Sequence, residues 1–189
     1  MPPFLIIFVV IGVILAIFCF AMAIISAIAK RSASTDKLAI RLDANKLQVA
    51  SKLSNDGFKV SKKLTATQLI FVSKKITDNE GFDSKDFVEI FIDEENKKLA
   101  VATYNDGAVK YFSPNEIKGF DVFVDSKTNS KETCLKKLNL IFYTNDANEP
   151  IYTVKVLLFR IYSVSKKYTE FMKFKDDVTK AVTEFIESK

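Results

Sequence analysis

The side chains best suited to chemistry are sparse in this chain and badly placed for it. It has no histidine, which removes His-based triads, His-containing metal sites and imidazole acid/base catalysis. Its two cysteines are Cys19, inside an apolar run, and Cys134, at the start of a predicted strand. A bond between them would join a membrane segment to a folded domain, so a disulfide framework is not expected and a reducing compartment is favoured. Two thiols do not make a structural zinc site, and with no imidazole to activate it Cys134 reads as a small strand residue. The five glycines (Gly12, Gly57, Gly81, Gly107 and Gly119) are isolated, so no phosphate-binding loop occurs. Asp78-Asn79-Glu80-Gly81-Phe82-Asp83 begins like a calcium loop, but its glycine falls fourth where the sixth position is required. Asp93-Glu94-Glu95 reads as a turn. Ser34/Lys37 and Ser163/Lys166 match Ser-x-x-Lys, a spacing that a lysine-rich chain produces by chance. The sequence therefore implies no catalytic residue, no cofactor and no metal, and a protein that is not an enzyme.

The strongest signal is physical. Residues 4–29, FLIIFVVIGVILAIFCFAMAIISAIA, contain no charge. At about 1.5 Å per residue they cross a hydrocarbon core of ~30 Å with some tilt. Met1-Pro2-Pro3 precedes the run, and proline is tolerated at a helix start. The run is longer than the core of a signal peptide and no basic residue stands ahead of it, so it reads as an uncleaved anchor. The competing reading is an exported domain released after Ala27-Ile28-Ala29. Gly12 and Ala16 form a small-xxx-small pair suited to helix packing, which supports an alternative role as a membrane-complex subunit recognised through its transmembrane helix.

Charge sets the expected orientation. The net charge is +5. Residues 30–63 hold nine Lys/Arg against three Asp, whereas the rest of the chain holds 19 basic against 20 acidic residues. The basic flank just past the run (Lys30, Arg31, Lys37, Arg41 and Lys46) places the C-terminal side in the cytoplasm and the N-terminus outside the cell membrane. It matches an anionic leaflet better than a nucleic acid. The expected partners are the lipid bilayer and a protein, with anionic lipid headgroups a further option and no nucleic acid.

Three segments follow from the pattern: an anchor over 1–31, a basic juxtamembrane helix or linker over 32–63, and a β domain with a C-terminal helix over 64–189. Residues 32–35 read as a polar joint, with Asp36 capping a helix over 37–54 whose apolar face is Ala39, Leu42, Val49, Ala50 and Leu53. Asn55-Asp56-Gly57 stops it, Gly57 supplying a left-handed residue. This helix reads as a stalk or as a helix packed on the domain. Strands are expected over 67–73, 87–92, 99–104, 108–112, 120–124, 135–143 and 152–159, about seven in all. The hairpin at Asn105-Asp106-Gly107 has the clearest turn signal. Ser113-Pro114-Asn115-Glu116 fits a capping box with one helical turn, and residues 126–132 read as a loop. An amphipathic helix over 167–187 turns Phe171, Phe174, Val178, Ala181, Val182 and Phe185 inward, with Lys173, Asp177, Lys180 and Glu184 facing away.

An antiparallel meander followed by one C-terminal amphipathic helix resembles the pleckstrin-homology-like barrel. The stretch KLAVATYNDGAVKYFSPNEIKGFDV, with Phe112-Ser113-Pro114-Asn115-Glu116-Ile117 between two strands, is similar to small bacterial membrane-anchored members. The resemblance spans residues 64–189 and implies an α+β fold, a β barrel or sandwich capped by the last helix, working as a binding or scaffolding module. Phosphoinositide-binding members cluster Lys/Arg around the first hairpin. Lys74 and Lys75 fit that pattern, but the next strand offers Glu89 and no Arg, and the helix lacks the family's tryptophan. Headgroup recognition therefore does not carry over from the resemblance. An uncleaved anchor predicts a protein that keeps residues 4–29, which intact mass checks; a product starting near Lys30 means cleavage.

Overall fold

The computed structural model describes the backbone of residues 3–72, 81–129 and 131–189, and within the first helix the side chains of residues 19–24, 26, 30 and 33 onward. The chain is α+β. In order it forms α1 (Pro3–Asn55), β1 (Lys62–Val72), β2 (Gly81–Asp93), β3 (Lys98–Thr103), β4 (Ala108–Phe112), a single 3-10 turn (Pro114–Glu116), β5 (Ile117–Thr128), β6 (Thr133–Thr144), β7 (Ile151–Lys155), β8 (Ile161–Tyr162) and α2 (Lys166–Glu187). The strands make two four-stranded antiparallel sheets, one ordered β1-β2-β3-β4 and one ordered β5-β6-β7 with β8 added on β6. There are two compact units, Met1–Ala39 with Ile70–Asp83, and Ile40–Leu69 with Ser84–Lys189.

The expected joint at residues 32–35 does not form. α1 runs through it unbroken, because helix propagation is cooperative and no Gly or Pro interrupts the chain between Gly12 and Gly57. Asp36 is accordingly an interior helical residue, not a cap. In the first unit the helix is accompanied by the end of the β1–β2 hairpin, where Phe71 and Phe82 meet edge to face with ring centroids 5.7 Å apart. Among the described residues no helix is long and apolar enough to cross a membrane. The anchor expected at residues 4–29 lies, apart from 19–24 and 26, outside the residues whose side chains are described.

In the second unit α1 ends where its sequence says it should. Gly57 adopts φ +66°, Phe58 N donates to Leu53 O and Gly57 N to Ser54 O. The bond from Phe58 N closes the last turn as in a Schellman cap, with Phe58 and Leu53 both buried. Leu42, Val49 and Leu53 form the buried stripe, while Ala50, expected on it, is exposed. This half of α1 is fastened along the first sheet. Asn45 Nδ2 donates to Tyr104 O at 2.8 Å, Tyr111 Oη to Asp56 Oδ2, Lys85 pairs with Asp43, and Lys52 lies over the Tyr111 ring. Every residue of β2 from Phe87 to Asp93 is consequently buried. A strand covered on one face alone would alternate.

The strand count is eight, not seven. β1 and β2 begin five and six residues before the expected starts, and β7 stops at Lys155 with the two-residue β8 following. The loop expected at 126–132 is mostly ladder: Ser126 pairs with Leu135, Lys127 with Cys134 and Thr128 with Thr133. Ser126, Lys127 and Thr128 are all exposed, so no apolar alternation marks this part of the strand. Aromatic rings join the sheets, Phe142 of β6 stacking on Phe112 of β4 at 5.2 Å and meeting Phe120 of β5 at 4.9 Å.

The Asn105–Gly107 turn holds Gly107 at φ +70°, and a Cβ there would lie 3.2 Å from the Asn45 side chain. Glu116 accepts from Ser113 N at 2.6 Å and opens the short turn that starts at Pro114. α2 buries all six expected residues and packs on β5, β8 and the 3-10 turn. Replacing Phe171, 2 % exposed, by Asp removes a core ring and buries a charge. The cost, about 4 kcal/mol or more, is comparable to a domain's whole stability. Phe171→Asp is expected to abolish the cooperative denaturation transition, whereas exposed Lys180→Glu shifts it by less than about 0.5 kcal/mol. Equal loss in both would contradict the assigned helix face.

Candidate functional site

Among the described residues β1 is the terminal strand of its sheet, with β2 as its neighbour there. Two adjoining grooves run along it. One, of about 270 Å³, is lined by Lys63 to Thr67 and by Glu170, Phe171, Lys173, Phe174 and Asp177 of α2. The other, of about 280 Å³, continues along Gln68 and Leu69 against Phe159 to Tyr162, Val164, Ser165, Lys167 and Phe171. Five consecutive β1 residues thus line the first groove and the next two line the second, and the two grooves share Phe171. Side chains of a strand alternate between the faces of its sheet, so only the backbone edge presents every residue to the same space. The two grooves mark the open edge of β1, roofed by α2.

Local chemistry holds this edge in place. Gln68 is buried and donates from Nε2 to Val156 O at 2.7 Å, tying β1 to the second sheet. Lys167 Nζ donates to Thr67 Oγ1 at 2.8 Å and Ser84 Oγ at 3.2 Å, and pairs with Glu170 at 2.7 Å, pinning the start of α2 beside the groove. Ser165 caps α2, its hydroxyl accepting from Lys167 N. At one end the groove widens into an apolar patch of Leu69, Phe159, Tyr162 and Val164, all exposed, with Arg160 beside it. At the other end stand the exposed Lys173 and Asp177.

Under the edge lies a buried acid. Glu89, 1 % exposed, accepts from Thr65 Oγ1 at 2.9 Å and from Tyr104 Oη, and pairs with Lys63 Nζ at 3.1 Å. Burial and then the hydrogen bond to Glu89 push the Tyr104 hydroxyl well above the usual tyrosine range, so it stays a donor. Asp93 closes the β2–β3 turn, accepting from Lys59 N, Asn96 N and Asn96 Nδ2. Burial works against its charge, but these donors outweigh it and hold the carboxyl below the ordinary range.

The sequence-predicted residues do not converge here. Lys30 and Lys37 are exposed on α1. Arg41 donates to Asn105 Oδ1 at 2.7 Å, and Lys46 pairs with Asp86, whose hydrogen bond raises its pKa. Those two are engaged with the domain's own turns and strands. The Arg31 side chain, Gly12 and Ala16 lie outside the described side chains. A third concavity of about 380 Å³ beside Lys110, Glu116 and Glu149 is satisfied internally. Lys110 pairs with Glu149 at 2.6 Å, and Asn145 N donates to Glu116 O. Among the described residues no cluster of metal-ligating side chains occurs. The chain matches no protein-family model, no curated protein and no solved structure.

Sequence reasoning named Glu89 but missed its burial, and it missed Gln68 and the β1 edge. The one available signal was a carboxylate inside the apolar run FVEIFI. Removing that carboxylate leaves the buried Tyr104 hydroxyl and the half-buried Thr65 hydroxyl without this acceptor. Glu89→Ala is expected to cost about 3 kcal/mol in denaturant unfolding and Glu89→Gln, which keeps an acceptor, about 1 kcal/mol.

Proposed function

We propose that this chain is a single-pass membrane-tethered binding module whose domain takes an extended segment of a protein partner along the open edge of β1. The groove carries the reading, because an unpaired strand edge beside a helix is the arrangement used in β-augmentation. Seven residues at about 3.3 Å each present some 23 Å of edge. Its main-chain groups supply sequence-tolerant hydrogen bonds, and the Leu69–Phe159–Tyr162–Val164 patch receives an apolar side chain at one end.

The tether rests on the run at residues 4–29. Cys19 to Ile24, six consecutive residues and so more than a full turn, are exposed on every side of α1. An apolar helix left bare all round is at home in hydrocarbon. The basic flank then favours the cytoplasmic side of the cell membrane for the domain. Four strands, three strands and a closing helix support the pleckstrin-homology-like reading, with β8 and the covering half of α1 as departures from it.

A photocrosslinker at Thr67, in full-length protein in native membranes, is expected to give one defined adduct. Asp177→Trp, filling the groove from the exposed side of α2, is expected to abolish that adduct with unchanged thermal unfolding. An adduct that persists in Asp177→Trp overturns the edge-binding reading.

A further inference from the structure

In the second unit the stripe of α1 turned toward the first sheet is Leu42, Val49 and Leu53. On the opposite side of the same helix Ile40, Ala44, Leu47, Ser51 and Ser54 are all exposed. They follow one another at alternating steps of four and three residues. Those are the a and d positions of a heptad repeat, Ala44 and Ser51 at a, Ile40, Leu47 and Ser54 at d. Ile40 is 56 % and Leu47 74 % exposed. Two aliphatic side chains left in water one heptad apart are unfavourable alone, and they are the knobs that a coiled coil buries. A straight helix drifts about 20° per heptad, so a stripe of this period stays in line by winding round a partner of the same period.

The occupant that the rest of the helix fits is a second copy of the chain. Copies tethered in one bilayer carry their basic flank on the same side, so their α1 helices are parallel. The positions beside the stripe suit that orientation. The repeat sets Asp36 at g and Arg41 at the following e, opposite charges that parallel copies bring together. It likewise sets Asp43 against Gln48 and Ala50 against Asn55, so no like charges meet. Counted back four heptads, Ile40 and Ala44 become Gly12 and Ala16, the small pair of the apolar run. Lys37 falls at an a position, which fixes register and strand number at a cost in stability. Confinement to a membrane offsets that cost by raising the effective concentration of copies.

We propose that the outer face of α1 pairs with the same face of a second copy, as a parallel two-stranded coiled coil centred on Ile40, Ala44 and Leu47. The inference rests on the membrane-tether reading and uses no residue of the β1 groove.

The test uses purified full-length protein carrying Cys19→Ser in phosphatidylcholine–phosphatidylglycerol vesicles; the remaining thiol, Cys134, is buried. Under mild oxidation Ala44→Cys, and independently Leu47→Cys, is expected to convert most of the protein to a disulfide-linked dimer. Lys52→Cys, exposed on the same helix but off the stripe, is expected to stay monomeric. In a second measurement, copies labelled with donor or acceptor at Lys180→Cys are expected to show energy transfer. The double variant Ile40→Glu, Leu47→Glu is expected to lose that transfer with unchanged thermal unfolding, because both side chains are exposed. Protein that floats with the vesicles but stays monomeric at both stripe positions overturns the dimer and leaves the tether standing. Equal crosslinking at Lys52→Cys, or undiminished transfer in the double variant, also overturns it. Protein that fails to float overturns the tether, and the dimer falls with it.

Discussion

The second unit depends on the burial of β2 on both faces. A central strand whose residues from Phe87 to Asp93 are all inaccessible needs two covers. In this unit the aromatic layer of Phe112, Phe120 and Phe142 joins the first sheet to the second, and the half of α1 from Ile40 to Asn55 lies along the first sheet's other face. That demand explains the hydrogen bonds from Asn45, Arg41 and Tyr111, and the ion pairs of Asp43 and Lys46. Uncovering the sheet would expose Phe87 and Phe91 to water and leave Glu89 without its dry surroundings. At about 25 cal/mol per Å² of apolar surface, each ring alone is worth some 2–3 kcal/mol.

The same constraint governs the polar groups carried inside. Glu89, Asp93, Gln68 and Thr144 are all buried, and among the described residues no buried side-chain N or O atom lacks a partner. Three of them fasten pieces distant in sequence. Glu89 gathers Lys63, Thr65 and Tyr104, Asp93 links the segment after α1 to the β2–β3 turn, and Gln68 reaches Val156, the residue just past β7. Such groups are costly alone and specific together, because a shifted strand register would strand several of them at once. Glu89 and Gln68 are the two that fix β1, through Lys63, Thr65 and Val156.

How much was legible in the sequence follows from the range of the interaction each feature depends on. α2, its six inward residues, the Gly57 stop and the Asn105–Gly107 turn rest on local periodicity or one residue's backbone freedom, and all stand in the structure as read. The joint at residues 32–35 failed because helix propagation is cooperative and polar residues without Gly or Pro do not interrupt it. The loop at 126–132 failed because an exposed ladder needs no apolar alternation. The basic residues were read as one membrane-facing set. Arg41 and Lys46 left that set once the turn at Asn105 and the strand at Asp86 folded against their helix.

By itself the sequence determined the uncharged run of residues 4–29, the basic flank behind it, the absence of histidine chemistry and the amphipathic last helix. These are properties of composition and spacing, which no folding partner alters. Only the tertiary structure decided that the second half of α1 is fastened along the first sheet, that Glu89 is buried and partnered, and that β1 ends its sheet beside a groove. Each of those depends on which segments meet, and that is set by pairing between residues far apart in the chain, where neither propensity nor period carries information.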